Sequence, residues 1–257
     1  MEKILYKILH KKYCRKNPDG QTRNEILNKI IMFENEKKPI RFVVLFGGYI
    51  NPHVAKKNTD LSEILTIKRL ADYINKIGNC YPYDTELYIV TTGRKGEIAN
   101  GILSDLTEYY ESKIKRIAEN NYSNIKVVPI SYLYDSPGVV NQVKAIVSNR
   151  NNGNEENIKI KKLMIAARHN LKEISEQEAI RNAKTYAALT EIEPIALNEY
   201  FGNHIKLSFR EDVSAGEVPM YTCKKGMLKQ SWNGTCGGCK FANHCRSHIT
   251  TGKIIYV

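Results

Sequence analysis

The chain has 257 residues, which suits one large domain or one domain with a small appendage. Its residues are 42% hydrophobic and 26% charged, as in ordinary globular proteins, and no apolar run approaches the roughly 18 residues that cross a bilayer. A formal charge of +12 favours an anionic partner, although lysines are spread along the whole chain. The N-terminus lacks the apolar core of a secretory signal, so we expect a cytoplasmic protein with reduced thiols and no membrane partner.

The first part of the chain predicts a basic segment, a helix and a strand. Residues 1–21 form a basic N-terminal arm. We expect Thr22 to cap a helix that runs to about Glu36, because apolar residues recur there at helical spacing. The run 41–46, which is continuously apolar from Phe42, is typical of a buried strand in a parallel sheet, and two glycines end it.

Strands and helices then alternate. The predicted helices span 60–78, 102–119, 137–148 and 174–191, and the predicted strands span 86–90 and 125–130. This alternation predicts an α/β fold with a mostly parallel, Rossmann-like sheet and helices on both faces. We expect antiparallel strands at 204–209, 218–222 and 254–257. The resulting domains are the basic arm, a Rossmann-like domain at 22–210 and a small C-terminal metal-binding lobe at 211–257.

Polar and basic residues follow two of the predicted strands. Ligands bind at the carboxyl ends of the strands in open parallel sheets, where glycines let the backbone approach closely. After the first strand the candidates are Gly47, Gly48, Tyr49, Asn51, His53, Lys56 and Lys57, and after the second they are Thr92, Arg94 and Lys95. Arg94 and Lys95 could hold a phosphate or carboxylate, or form a solvated basic turn. His53 is either functional or an ordinary surface residue.

Four of the six cysteines are clustered near the C-terminus. Cys223, Cys236, Cys239 and Cys245 have the spacing C-x12-C-x2-C-x5-C, which in a reducing compartment indicates a metal site rather than disulfides. Three close thiolates and one remote thiolate favour a [4Fe–4S] cluster. Nearby histidines keep structural zinc as the alternative, and four unmetallated thiols remain a third possibility.

The order of several motifs resembles the isocyanide (isonitrile) synthase family related to dityrosine and pyoverdine biosynthesis. The resemblance begins with KKPIRFVVLFGGYINPH at 37–53, TDLSEILTIKRLADYINKI at 59–77 and CYPYDTELYIVTTGRKG at 80–96. It continues with AKTYAAL at 183–189, IKLSFRED at 205–212 and SWNGT at 231–235.

This resemblance implies an enzyme of amino-acid-derived natural product biosynthesis. Family members convert the amino group of an amino acid into an isocyanide and take the carbon from a pentulose phosphate. By resemblance, Arg94, Lys95 and Arg210 would bind the phosphorylated co-substrate, and Lys56 or Lys57 would handle imine chemistry. The sequence departs from the family at Tyr49, near a family lysine, and at Arg210, where the family has a histidine.

Two other functions compete with this one. A cyclodipeptide-synthase-like enzyme would use aminoacyl-tRNA, which the basic charge favours, but the loop after the first strand lacks that family's nucleophilic Ser. A nucleic-acid-binding protein or nuclease is the third class, since Cas4-like nucleases share C-x2-C-x5-C with one remote Cys. No acid-x-Lys metal motif on a strand supports nuclease chemistry.

Overall fold

A parallel sheet forms the centre of the computed structural model, which describes residues 1–46, 61–100, 104–149, 174–209 and 214–220. Within these ranges five strands pair in the order β3-β2-β1-β4-β5, and every neighbouring pair is parallel. The strands are β1 Ile40–Phe46, β2 Thr85–Thr91, β3 Ile125–Pro129, β4 Ile205–Ser208 and β5 Glu217–Pro219. The predicted α/β class and parallel sheet are confirmed.

All residues of β1 except Arg41 are apolar, because both faces of the strand are covered. Phe42, Val44 and Phe46 belong to one hydrophobic cluster, while Val43 and Leu45 belong to another on the opposite face. Successive side chains of a strand point to opposite faces, so a strand buried on both sides needs apolar residues at every position.

Helices cover both faces of the sheet. In chain order they are α1 Glu2–Ile8, α2 Gly20–Asn35, α3 Leu61–Gly78, α4 Gly93–Asn100, α5 Ser104–Glu119, α6 Ile130–Tyr134, α7 Pro137–Asn149 and α8 Glu176–Phe201. We call α1, α2, α3 and α5 the apolar layer, since their buried residues form a single cluster with one face of the sheet. We call α4, α6, α7 and α8 the charged layer, for the buried ion pairs beneath α8 described below.

Two helices differ from the sequence-based expectation at their ends. Asp19, not Thr22, caps α2: its carboxylate accepts a hydrogen bond from the backbone N–H of Thr22 at 2.8 Å. The helix α8 runs ten residues past its predicted end, through Pro194 to Phe201. Buried residues on both sides of the proline, Leu189 and Leu197 among them, hold this helix on the sheet despite the missing N–H.

The expected antiparallel pairing of the last strands is wrong for the described ones. The strand β4 pairs parallel with β1, because α8 carries the chain back across the sheet first. The strand β5 is parallel to β4 although only residues 209–216 connect them. Because β5 has three residues and is only about 10 Å long, this short connection is enough to bring the chain back to the start of a parallel strand. The third predicted strand, 254–257, lies outside the described residues.

The N-terminal segment packs onto this sheet. Ile4, Leu5 and Ile8 of α1 are buried in the same cluster as residues of α2 and α3. Cys14 forms an antiparallel bridge with Met220, and the N–H of Arg15 donates to the carbonyl of Pro219 at 2.9 Å. Residues 14 and 15 therefore cover the outer edge at the end of β5, from Pro219 to Met220. None of the helices in the described ranges is long and apolar enough to span a membrane.

Candidate active site at the carboxyl edge of the sheet

The strand order reverses between β1 and β4. From β1 the chain builds β2 and β3 on one side, and later adds β4 and β5 on the other. In open α/β sheets the crevice outside the carboxyl ends of the two strands at such a reversal is the usual ligand site. The carboxyl ends of these two strands are Phe46 of β1 and Ser208 of β4.

The structure describes only some of the predicted site residues. Thr92 lies at the carboxyl edge, where its N–H donates to the carbonyl of Phe46 at 3.3 Å and ties the end of β2 to the end of β1. Arg94 and Lys95 lie in the first turn of α4. The other predicted residues lie outside the described ranges: Gly47, Gly48, Tyr49, Asn51, His53, Lys56, Lys57, Arg210, Cys223, Cys236, Cys239 and Cys245.

The start of α4 contacts a carboxylate from α5. Glu111 accepts a hydrogen bond from the Thr91 hydroxyl at 2.8 Å. Burial is the largest influence on Glu111 and raises the pKa of its carboxyl above the usual value, while hydrogen bonds from Thr91 and from the Gly93 backbone act in the opposite direction. A Cβ at position 93 would lie 2.1 Å from Thr107 Cγ2 and 2.7 Å from Glu111 Oε1. Glycine at this position therefore allows the close approach.

This contact bears on where an anionic ligand can bind. A helix N-terminus that follows a parallel strand is the common phosphate site of nucleotide-binding folds. Here the carboxyl group of Glu111 already accepts the Gly93 N–H at that end of α4. The second strand–helix junction is thus occupied by an acidic side chain of the protein itself.

Lys95 points into the protein. Its ammonium lies 2.7 Å from Glu193 Oε2 and 5.2 Å from the ring centroid of Tyr186, both on α8. The side chains of Lys95 and Glu193 are only 6% and 3% exposed. A buried carboxylate is a strong partner for an ammonium group, so this pair fixes the position of α4 against α8.

Two further residues extend the ion pair. Lys206 Nζ lies 3.7 Å from Glu193 Oε1 and 2.8 Å from Glu217 Oε1. The resulting charged chain, Lys95–Glu193–Lys206–Glu217, joins α4, α8, β4 and β5. With two positive and two negative members its charges balance, which is the condition under which charges are tolerated inside a protein.

Sequence reasoning missed Glu193, Lys206 and Glu111. One signal was present, because Glu193 stands four residues after Leu189 and four before Leu197, in the apolar stripe of α8. An acid in such a stripe indicates a buried partner. Its partner Lys95 is 98 residues away in the chain, and no local pattern links the two.

His204 is the most strongly perturbed histidine that the structure describes. Burial lowers its pKa to about 4, and the neighbouring Lys29, Lys206 and Arg41 act in the same direction. Its Nδ1 lies 2.8 Å from the carbonyl oxygen of Gly202. Because His204 immediately precedes β4, it lies at the amino end of the sheet, away from the candidate site.

In the described part of the chain, no group of three or more His, Cys, Asp or Glu residues is placed to hold a metal ion. Cys14 and Cys80, the two cysteines in these ranges, are free thiols, and burial raises the pKa of Cys14 to about 12. A thiol with so high a pKa is a poor metal ligand at neutral pH. Cys14 is therefore a poor ligand for the predicted metal centre.

Comparisons with known proteins find solved structures of similar fold. No family profile and no curated protein matches the sequence. The PvcA protein from Pseudomonas aeruginosa matches over 84% of this chain and 82% of its own, with 15% identity and a TM-score of 0.52. Tyrosyl-tRNA synthetase from Archaeoglobus fulgidus, solved with L-tyrosine, matches over 80% of this chain and 54% of its own, with 13% identity and a TM-score of 0.47. Across most of its length, the chain is similar in fold to PvcA.

Proposed function

We propose that this protein is an isocyanide-synthase-like enzyme that acts on the amino group of an amino acid with a phosphorylated pentulose as co-substrate. The first step joins the amine nitrogen to the ketone carbon of the sugar and releases water, giving an imine. Two observations support the proposal: the order of the sequence motifs, and the similarity in fold to PvcA, a protein related to that family.

The observation that carries the proposal is the reversal of strand order between β1 and β4. The motif around Gly47–His53 follows β1, and the motif that contains Arg210 follows β4. These are the two strands whose carboxyl ends border the expected ligand crevice. Residues that are far apart in the chain would therefore reach one site.

The described contacts refine the proposed roles. The Glu111 carboxyl group occupies the start of α4, and Lys95 is paired with Glu193. We therefore assign the phosphate to Arg210 and Arg94, and give Lys95 the role of positioning α4. Lys56 or Lys57 remains the proposed group for imine chemistry, because a lysine amine can exchange with a substrate amine at a carbonyl carbon.

The test is a direct assay for product. Purified protein is incubated with a mixture of the common amino acids and a 13C-labelled pentulose phosphate, and mass spectrometry follows the transfer of labelled carbon to an amino acid. Arg210→Ala should raise KM for the sugar phosphate about 10- to 100-fold, because it removes a charge-assisted contact. Arg23→Ala, an exposed arginine of α2, is the matched control and should leave KM unchanged. Absence of label transfer with every amino acid would refute the proposal.

We also propose that Cys223, Cys236, Cys239 and Cys245 bind one metal centre, with a [4Fe–4S] cluster favoured over zinc. The support is their spacing. Anaerobically purified protein should be brown and contain iron and sulfide, whereas structural zinc would give colourless protein with about one zinc per chain. Cys239→Ser should lose the metal and Cys80→Ser should keep it. Metal-free protein of unchanged stability would contradict this proposal.

A further inference from the structure

The N-terminal helix α1 presents a strongly basic surface. Residues 1–16 contain six lysines and arginines but a single acid, Glu2. Lys3 and Tyr6 of α1, and Lys11 and Lys12 just after it, are exposed. In the described part of the chain none of these three lysines forms an ion pair with a carboxylate. The charge of this surface is therefore directed to solvent.

Three cations converge on one tyrosine beside this helix. Lys12 Nζ, Arg69 Cζ and Lys76 Nζ lie 5.5, 5.0 and 5.6 Å from the ring centroid of Tyr13. Lys76 Nζ also donates to the Tyr13 hydroxyl at 2.9 Å, and Arg69 donates to the backbone carbonyl of Lys12. The ring face and the hydroxyl oxygen offset part of the repulsion among the three positive charges.

An exposed aromatic side chain lies on α1, the helix that also carries Lys3 and Lys7. Tyr6 is 64% exposed, and its ring meets that of His10 edge-on, with centroids 5.5 Å apart. Lys3 and Lys7 flank Tyr6 on α1, and Lys11 follows in the turn after the helix. Cations interleaved with an exposed ring are the arrangement by which proteins hold single-stranded nucleic acid, with phosphates on the cations and a base stacked on the ring.

We propose that this basic surface (Lys3, Tyr6, Lys7, His10, Lys11, Lys12 and Lys76) binds a single-stranded segment of nucleic acid. Phosphates contact the lysines, and an unpaired base stacks on Tyr6. The proposal does not depend on the chemistry assigned to the carboxyl edge of the sheet.

The structure favours nucleic acid over an anionic membrane. A helix that lies on a bilayer inserts an apolar face into it. The apolar residues of α1, among them Ile4, Leu5 and Ile8, are buried in the core of the protein and are not available for insertion. The side chains that α1 exposes are charged or aromatic with a polar end, as a phosphodiester chain and its bases require.

Fluorescence anisotropy with a labelled 20-nucleotide single-stranded RNA, and with DNA of the same sequence, tests the proposal across a range of salt concentrations. Lys7→Ala combined with Lys11→Ala should reduce the slope of log affinity against log salt by about 1.4, since each phosphate contact on a single strand contributes about 0.7. The matched control is Lys144→Ala combined with Arg181→Ala. These two residues are exposed on α7 and α8, and replacing them removes the same amount of positive charge.

Tyr6→Ala tests the stacking contact and should weaken binding about tenfold. The control is Tyr132→Ala on α6, because Tyr132 is 62% exposed and its helix carries no lysine or arginine. Thermal melting checks that all variants fold. The proposal is overturned if both double variants weaken binding equally, if the two tyrosine variants behave alike, or if vesicles of anionic lipid bind while the oligonucleotides do not.

Discussion

The two helical layers cover the sheet in different ways. Beneath the apolar layer the fully buried side chains include Tyr73, Phe42, Ile26 and Ile74, and Tyr73 satisfies its hydroxyl by donating to the carbonyl of Ile8 at 3.1 Å. Beneath the charged layer, a chain of four charged residues passes under α8 and links it to α4, β4 and β5.

The two layers therefore contribute differently: the apolar layer stabilises the fold, and the charged layer fixes the positions of its helices. Apolar burial is non-directional, so the apolar layer stabilises the fold without fixing one geometry by itself. A buried ion pair adds little net stability, because desolvation offsets its Coulomb attraction, but it penalises any arrangement that separates the charges. The charged layer includes α4, the helix that begins at the proposed ligand edge. The directional contacts are therefore found next to the site where geometry matters for chemistry.

The largest effect that we expect comes from removing one member of the charged chain. Glu193→Leu leaves Lys95 buried without this carboxylate and should lower the free energy of unfolding by about 3–5 kcal/mol. Lys95→Met combined with Glu193→Leu should recover most of that loss, because the buried pair is replaced by apolar side chains of similar size. Urea unfolding measures both variants, and equal instability of the single and the double variant would contradict the interpretation.

The apolar layer supplies the control for this experiment. Ile74→Ala should cost about 2–5 kcal/mol through a cavity. Combined with Glu193→Leu, its effect should add to within about 0.5 kcal/mol, because the two sites lie on opposite faces of the sheet. A large deviation from additivity would show that the two layers are coupled.

A second way to distinguish the layers is the pH dependence of stability. The folded pKa of His204 is about 4 and its unfolded value is 6.5, so the unfolded chain takes up the proton first as the pH falls. Stability should therefore decline between about pH 6.5 and pH 4, by roughly 3 kcal/mol in total. His204→Gln should flatten this decline in urea unfolding curves recorded at several pH values.

Glu111 of the apolar layer acts with the opposite sign. Its pKa is raised in the folded state, so the ionised form costs stability at neutral pH and that cost disappears as the pH falls. Glu111→Gln should make the acid-side decline steeper, whereas His204→Gln makes it shallower. If the two variants shift the curve in the same direction, the assignment of these groups is wrong.

The smallest effect concerns Gly93, where the chain passes from β2 to α4. Gly93→Ala places a methyl group 2.1 Å from Thr107 Cγ2, and this overpacking should cost about 1–3 kcal/mol. Adding Thr107→Ser removes that methyl partner and should restore part of the loss. The control is Gly138→Ala on α7, which meets nothing within 4 Å and should stabilise by about 0.4–1 kcal/mol.

The elements that could be predicted from sequence were those with local causes. The strand β1 was recognisable because it is continuously apolar from Phe42 to Phe46, and α3 because its apolar residues recur at helical spacing. The end of α8 was not recognisable, since the packing of Leu197 on the sheet outweighs the local effect of Pro194. The direction of β5 likewise depends on its pairing with β4, which no local pattern encodes.

The candidate site was only partly predictable for the same reason. The strand-end rule pointed to Thr92, whose contact with Phe46 lies at the expected edge. It also pointed to Lys95, but a basic residue in a sequence does not reveal its partner. The pairing with Glu193 follows from the way α4 and α8 pack together, and it changes the role that we assign to this lysine.

The contact of residues 14 and 15 with β5 matters while the chain is being synthesised. Residues 14 and 15, which pair with the outer edge of β5, leave the ribosome long before β5 does. A newly added edge strand is normally the point at which nascent chains associate with one another. Here its partner is already present when the strand is made, and Pro219 has no N–H to offer a neighbouring chain. Arg15→Pro, which removes the N–H that pairs with Pro219 and leaves α1 in the core, should therefore show itself first as aggregation during expression.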